Sequence, residues 1–170
     1  TMIVELADHI IGPLDTDIAA EVKHHIESKG IKICLNSAVK KIEDGEQDLR
    51  VYINDDIVEA DMLVMSVGVR PESFLAKEAG LNLGFKDSIA VDSHMRTSDE
   101  DIYAVGDVVE VSDFVSGVKT NIPLASPANK QGRIAADNIF GIESEYKKTQ
   151  GTAIIKAFDM TVAVTGNNER

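Results

Sequence analysis

The sequence predicts an α/β layer with a β appendage, and three features of its first 67 residues support that fold class. An apolar strand at 2–4, a helix and an alternating strand at 31–35 follow one another, as in α/β proteins. Short alternating segments separated by turn residues then predict an antiparallel meander. The run 62–67, Met-Leu-Val-Met-Ser-Val, is almost continuously apolar, which is typical of a strand covered on both faces.

Residue spacing and turn signals define the elements of this first part. Ile18, Val22 and Ile26 recur every four residues and predict a helix with one apolar face. Asp15 is placed as its N-cap, and Gly30 as the residue that ends it. Predicted strands follow at 31–35, 38–42, 49–53 and 57–60, with turns at 44–45 and 54–56.

The pattern is less regular after Gly68. A short helix is predicted at 72–79, and a longer one has Ser126 as N-cap, Pro127 as its first residue and Ile139 near its end. Short strands are predicted at 89–91, 102–105, 108–111 and 118–122, and a final pair at 151–158 and 160–165.

Composition narrows the class of function. The 170 residues include 29 acidic and 17 basic side chains, a formal net charge of −12. A surface of that sign repels phosphate backbones and anionic lipids, so we expect neither a nucleic acid nor a membrane as partner. No basic region precedes a hydrophobic stretch at the N-terminus, so no secretory signal is visible and a cytoplasmic location is expected.

Cysteine and histidine usage excludes two further classes of site. The single cysteine, Cys34, can form neither an intrachain disulfide nor a CxxC pair, and its place in an amphipathic strand predicts an inert, structural role. The four histidines share no helix face with ligand spacing, so no metal site is predicted.

Glu5 is the first candidate binding residue. It ends the first predicted strand, where nucleotide-binding α/β units hold a ribose through its 2′- and 3′-hydroxyls. A solvated carboxylate at a strand end explains the same residue without a ligand. Both interpretations stay open at this point.

The stretch 97–107, Thr-Ser-Asp-Glu-Asp-Ile-Tyr-Ala-Val-Gly-Asp, is more specific. A buried strand would bring Gly106 and Asp107 to its carboxyl end, where open α/β sheets bind ligands. A ligand-free Gly-Asp turn explains that dipeptide but not the whole string. The stretch resembles the second flavin-binding motif of FAD-dependent pyridine nucleotide-disulfide oxidoreductases. The resemblance implies that Asp107 binds the ribityl chain and that Thr97 and Gly106 belong to the same cofactor site.

The helix near residue 125 resembles the same family. Pro123-Leu124-Ala125 together with Gln-Gly-Arg at 131–133 is similar to the helix whose N-terminus faces the flavin. This implies that Leu124, Ala125 and Asn129 contact the cofactor. A positive helix end can stabilise negative charge on a reduced flavin, whereas an ordinary capped surface helix is the alternative.

Two further segments complete the resemblance. Met-Ser-Val-Gly-Val-Arg-Pro at 65–71 is similar to the segment that leaves the NAD domain, which implies that Gly68 packs near the nicotinamide. Residues 158–166, Phe-Asp-Met-Thr-Val-Ala-Val-Thr-Gly, resemble the beginning of the C-terminal dimerisation domain. That string is most similar to the branch of coenzyme A-disulfide reductases, NADH oxidases and NADH peroxidases.

The resemblance implies an internal fragment of a larger, homodimeric flavoprotein. Residues 1–79 would be the C-terminal part of an NAD(P)-binding, Rossmann-like domain with its β-meander. Residues 80–145 would be the returning segment of the FAD-binding domain, and 146–170 the first strands of an α+β dimerisation domain. The isolated chain is then expected to be inactive.

The implied activity is hydride transfer from NADH, rather than NADPH, to FAD. Electrons would continue to a redox cysteine outside this chain and reduce a disulfide such as coenzyme A disulfide. An NADH oxidase or peroxidase, acting on dioxygen or peroxide, is the alternative within the family. A flavin-free nucleotide-binding or interaction module is the alternative from another class.

Overall fold

A computed structural model of the chain describes residues 1–45 and 48–168. They divide into two units. The first comprises residues 1–67 and the chain from 154 onward, and the second comprises 68–153.

The first unit contains a parallel strand pair connected by a helix. Strand β1 (Met2–Val4) pairs with β2 (Lys32–Cys34), in a register that sets Met2 beside Lys32. Helix α1 (Thr16–Ser28) joins them. As predicted, Asp15 is its N-cap, and it ends at Gly30, whose φ of +85° glycine adopts without strain.

The buried face of α1 differs from the predicted one by one residue. Ala19, Val22 and Ile26 are buried, whereas Ile18 is 48% exposed. The reason is the helical period: three- and four-residue steps from Ala19 stay on one face, whereas repeated steps of four drift away from it. The core around this helix is made by Ile10, Leu14, Ala19, Val22, Ile26, Ile33 and Val162.

Antiparallel hairpins complete the first unit. Strands β3 (Val39–Asp44), β4 (Leu49–Ile53) and β5 (Asp56–Ala60) form the predicted meander, with β4 in the centre. Strands β8 (Thr152–Ala157) and β9 (Met160–Thr165) form the predicted final pair, and Val162 of β9 contributes to the core. The division between the two units falls within β8.

The predicted buried strand at 62–67 was wrong. The segment belongs to no helix or strand, and Met62, Val64 and Val67 are 76%, 74% and 84% exposed. A continuous apolar run indicates a preference for burial on both faces, but a strand also requires a paired neighbour. Among the described residues, no strand pairs with this run.

The second unit has less regular structure than predicted. Helix α2 (Phe74–Glu78) lies within the predicted 72–79, and strands β6 (Val111–Ser112) and β7 (Lys119–Thr120) form a two-residue antiparallel ladder. The strands predicted at 89–91 and 102–105 are reduced to isolated bridges at Ile89 and Tyr103. Their short apolar runs lie in partly buried loops, and among the described residues no neighbouring strand extends either bridge into a ladder.

Helix α3 (Ala125–Ile139) begins earlier than predicted. Leu124, not Ser126, is its N-cap, and the Ala128 N–H donates to the Leu124 carbonyl oxygen at 3.2 Å. Pro127 is therefore the third helical residue, where its missing N–H is still among those without an intrahelical acceptor. No helix in the described ranges combines the length and the apolar character needed to cross a bilayer.

Candidate functional site

The candidate site is built around a single 3-10 turn, Gly106–Val108, in the second unit. Gly106 has a φ of +87°, in the left-handed region that residues with a side chain adopt only at a cost. A Cβ placed on Gly106 would lie 3.9 Å from the Ala128 Cβ, an ordinary contact distance. Glycine is therefore required here by backbone conformation rather than by crowding.

Two amide side chains hold the backbone of this turn. The Gly106 N–H donates to Gln131 Oε1 at 2.7 Å, and Gln131 is only 1% exposed. Asn121, directly after β7, donates through Nδ2 to the carbonyl oxygens of Asp107 at 2.8 Å and Val109 at 3.0 Å. Side chains distant in sequence thus satisfy three backbone groups of the turn.

The carboxylate of Asp107 is left available by this arrangement. Asp107 is exposed, and within residues 1–45 and 48–168 no hydrogen bond or ion pair engages its carboxylate. A fixed backbone that presents a free carboxylate suits a ligand with hydroxyl groups, because an ionised carboxylate only accepts hydrogen bonds.

The turn lies beside the amino end of α3. Residues of the turn contact α3, and a Cβ built on Gly106 would lie 3.9 Å from the Cβ of Ala128 in the first helical turn. Leu124, the N-cap residue, makes no capping hydrogen bond through its side chain. Its first N–H groups carry the positive end of the helix dipole and favour an electron-rich acceptor. The structure therefore places an available carboxylate close to a helix end that is rich in hydrogen-bond donors.

The predicted residues of α3 occupy that end. Leu124 is half-buried at the N-cap position, Ala125 is the first helical residue, and Asn129 is exposed one turn further along. All three belong to the same unit as Gly106 and Asp107, as the predicted cofactor site requires.

Thr97 has a local role in the structure. Its hydroxyl accepts the Asp99 N–H at 3.1 Å, and its own N–H donates to the Ile102 carbonyl oxygen at 2.9 Å. These bonds place Thr97 beside the start of the segment that Gly106 ends, so it shapes the loop that leads to the turn.

Glu5 and Gly68 lie in different units. Glu5, half-buried after β1 in the first unit, accepts the Ala7 N–H through Oε1 at 2.9 Å, which fixes its carboxylate at the strand end. Gly68, in the second unit, has a φ of +90°, and no described heavy atom beyond its chain neighbours lies within 4 Å of a Cβ placed there. Its backbone is open to close approach.

Cys34 packs against Met2 within the parallel strand pair. It is half-buried in β2, with Sγ 3.6 Å from Met2 Sδ. Among the described residues, no group of three or more His, Cys, Asp or Glu side chains is arranged to hold a metal ion.

Gln131 and Asn121 are the site residues that the sequence analysis did not assign to the turn, although Gln131 belongs to the Gln-Gly-Arg string of the resembling helix. They lie 25 and 14 residues from the backbone groups they bind, so no local spacing connects them to the turn. The signal that could have found Gln131 is its place on the inner face of α3, among small residues, where a buried amide needs a partner.

Comparison with known proteins gives a consistent result. The family model described as pyridine nucleotide-disulphide oxidoreductase matches residues 1–132. The "NADH oxidase" of Methanocaldococcus jannaschii is 39% identical over 166 residues, which cover 97% of this chain and 37% of that protein. The "NAD(P)H sulfur oxidoreductase (CoA-dependent)" of Pyrococcus furiosus is 34% identical over 155 residues, which cover 91% of this chain and 34% of that protein. The chain thus spans little more than a third of these relatives.

Solved structures agree in fold. A NAD-dependent persulfide reductase from A. fulgidus matches with a TM-score of 0.95 and 40% identity, over 99% of this chain and 32% of that one. The reduced CoADR-RHD of Bacillus anthracis matches with a TM-score of 0.93 and 44% identity, over 99% of this chain and 30% of that one.

Proposed function

Because this chain belongs to the pyridine nucleotide-disulphide oxidoreductase family, we propose that it forms part of the flavin and nicotinamide sites of an NADH-dependent flavoprotein reductase. The observation that carries the proposal is the Gly106–Asp107 turn, fixed at its backbone and presenting a free carboxylate beside an uncapped helix end. The family match favours this enzyme over a flavin-free binding module.

The residues present fit two parts of FAD. The Asp107 carboxylate can accept hydrogen bonds from ribityl hydroxyls, and the first N–H groups of α3 can donate to the pyrimidine edge of the ring. When bound, FAD supplies the site that accepts hydride and passes electrons on. We assign Gly106, Leu124, Ala125 and Asn129 to the wall of this site, and Thr97 to the loop that supports it.

Glu5 is proposed to bind the adenosine ribose of NADH. Its Oε1 is held by the Ala7 N–H, which orients the carboxylate at the end of β1. A 2′-phosphate there would add about two negative charges beside it. No lysine or arginine lies between Glu5 and Lys23 to compensate, which supports NADH over NADPH. We assign Gly68, with its open backbone, to the approach of the nicotinamide.

The proposed electron acceptor is a disulfide of the coenzyme A type or a related persulfide, reached through a cysteine outside this chain. The names of two similar proteins, a CoA-dependent NAD(P)H sulfur oxidoreductase and a persulfide reductase, support that class. An NADH oxidase or peroxidase is the second candidate, favoured by the M. jannaschii relative. The cytoplasmic location, the homodimer and the domain boundaries after 79 and 145 stay predictions.

A full-length protein tests the proposal directly. Visible absorbance of the purified protein reports bound flavin, and its anaerobic bleaching by NADH reports hydride transfer. Turnover is then compared with coenzyme A disulfide, coenzyme A persulfide, hydrogen peroxide and dioxygen at one NADH concentration. A colourless protein that does not take up added FAD would refute the flavin site. Turnover restricted to dioxygen or peroxide would decide for the second candidate.

A further inference from the structure

We propose that Gln131 and Asn121 are positioning residues for FAD, which together fix the Gly106–Asp107 turn so that the Asp107 carboxylate faces the cofactor. The inference rests on the proposed flavin site. It assigns a role in cofactor affinity to two side chains that bind the turn rather than the ligand.

Gln131 supports the inference by its burial and by the group it binds. It is among the most fully buried side chains, and its Oε1 lies 2.7 Å from the Gly106 nitrogen. Because the oxygen accepts this N–H, the orientation of the amide is determined. Gly106 has a φ of +87°. Without the hydrogen bond to its N–H, this backbone conformation would be free to relax.

Asn121 acts on the other end of the same turn. One –NH₂ group carries two hydrogens, and the two carbonyl oxygens it faces, those of Asp107 and Val109, lie 2.8 and 3.0 Å away. The backbone is therefore held on both sides of the Asp107 Cα. Rotation of this segment would break at least one of these bonds, so the direction of the Asp107 side chain is limited.

The two amides also connect the turn to separate elements. Asn121 follows β7, and Gln131 lies in the second turn of α3, whose first turn forms the other half of the site. Neither amide engages the Asp107 carboxylate, which keeps its hydrogen-bonding capacity for hydroxyl groups. This is preorganisation, since binding need not order a flexible turn.

The test uses the full-length protein with Gln131→Met and Gln131→Glu. Methionine keeps the length of the side chain and removes the acceptor, whereas glutamate retains an acceptor oxygen at the same reach. FAD is removed, and the dissociation constant is measured by quenching of flavin fluorescence on reconstitution. We expect methionine to raise the dissociation constant about tenfold or more, and glutamate to recover part of that loss. Visible circular dichroism of the bound flavin should change with methionine.

Asn138→Leu is the matched control. Asn138 is an amide on the same helix, and its Nδ2 donates to the carbonyl oxygens of Ser144 at 2.7 Å and Ile134 at 2.8 Å rather than to the turn. Its loss should lower thermal stability but leave the FAD dissociation constant within about threefold of wild type, since it holds a different loop. If the role of Gln131 were purely structural, Gln131→Met would behave like Asn138→Leu: it would lower thermal stability and leave the FAD dissociation constant within about threefold of wild type.

Asn121→Leu removes the other amide that binds the turn, and it tests the inference if Gln131→Met does not fold. We expect it to weaken FAD binding while the protein stays folded. Unchanged FAD affinity in the folded variants at 121 and 131 would overturn the inference and leave the proposed flavin site standing. Failure of the wild-type protein to bind FAD would overturn the proposed function itself, and this inference with it.

Discussion

Lys29 Nζ lies 2.8 Å from Asp159 Oδ1, so the residue that caps the carboxyl end of α1 is joined to the tight turn between β8 and β9. His25 Nε2 lies 3.0 Å from the same oxygen. The hydrogen bond from Lys29 lowers the pKa of Asp159 below its ordinary value, with smaller contributions from a backbone hydrogen bond, from the Lys29 charge and from His25. The first unit thus carries a pH-dependent contact on its surface.

The first prediction concerns acid stability. A carboxyl whose pKa is lowered by folding contributes stability above its unfolded pKa, and this is lost as the pH falls through the folded pKa. From pH 7 down to about pH 3, wild type should therefore lose more stability than Asp159→Asn. The urea unfolding midpoints of wild type and of Asp159→Asn, measured at several pH values in that range, give the comparison. The difference should be small and shrink in 1 M salt, because Asp159 is largely exposed. Parallel losses in low salt would mean that the contact contributes nothing.

Asp107→Asn should weaken FAD binding more than loss of any other carboxylate in the chain. A hydrogen bond to an ionised group contributes roughly 1.5–3 kcal/mol, so we expect the FAD dissociation constant to rise at least about tenfold. Asp101→Asn removes an exposed carboxylate six residues away and serves as the control. Equal affinities of the Asp107 variant and wild type would place the ribityl contact elsewhere.

Glu5→Ala should reduce the preference for NADH over NADPH. Each pair of unit charges at about 4 Å costs on the order of 1 kcal/mol in water, so the 2′-phosphate is penalised in wild type. Removing Glu5 should lower kcat/KM for NADH more than it changes the value for NADPH. Glu21→Gln, on the exposed side of α1, should leave the ratio unchanged. A wild-type enzyme that prefers NADPH would contradict the assigned role.

Two glycine substitutions should act in opposite directions on stability. Gly106→Ala forces a side chain into the left-handed region and should cost about 1–2 kcal/mol of unfolding free energy. Gly132→Ala lies inside α3, where the added Cβ meets no described heavy atom within 4 Å apart from its chain neighbours and the nearby helix backbone, and it should gain about 0.5–1 kcal/mol. Denaturant unfolding of the two variants and wild type measures whether the free energy of unfolding falls or rises in each variant. A neutral Gly106→Ala would show that the turn relaxes without cost.

Elements with a local cause were predictable from the sequence. The position of α1, most of its buried face, its end at Gly30 and the meander β3–β5 depend on spacing and turn residues within a few positions. The absence of strands at 62–67 and 102–105 could not be predicted in this way, because a strand requires a paired neighbour that the local pattern does not specify. Ser126 matched the residue preference for an N-cap, but the extended N-cap backbone lies two residues earlier, at Leu124.

The candidate site divides in the same way. Gly106 and Asp107 could be identified because they are adjacent and end a recognisable string. Their supporting amides, Asn121 and Gln131, come from other elements, and only the folded chain brings them to the turn. Residues that bind a ligand are thus easier to recognise in a sequence than the residues that orient them.

The exposed segment 62–67 has a consequence for handling the protein. Apolar, without proline and paired with no strand among the described residues, it can offer backbone groups to another copy, which is the usual template for self-association. The net charge of −12 keeps copies apart, but over a distance of only about 10 Å at 0.1 M ionic strength. The 170-residue chain alone should therefore stay dispersed in dilute buffer and scatter light as salt is added, the reverse of ordinary salting-in. Replacing Val64 and Val67 by threonine should delay that onset.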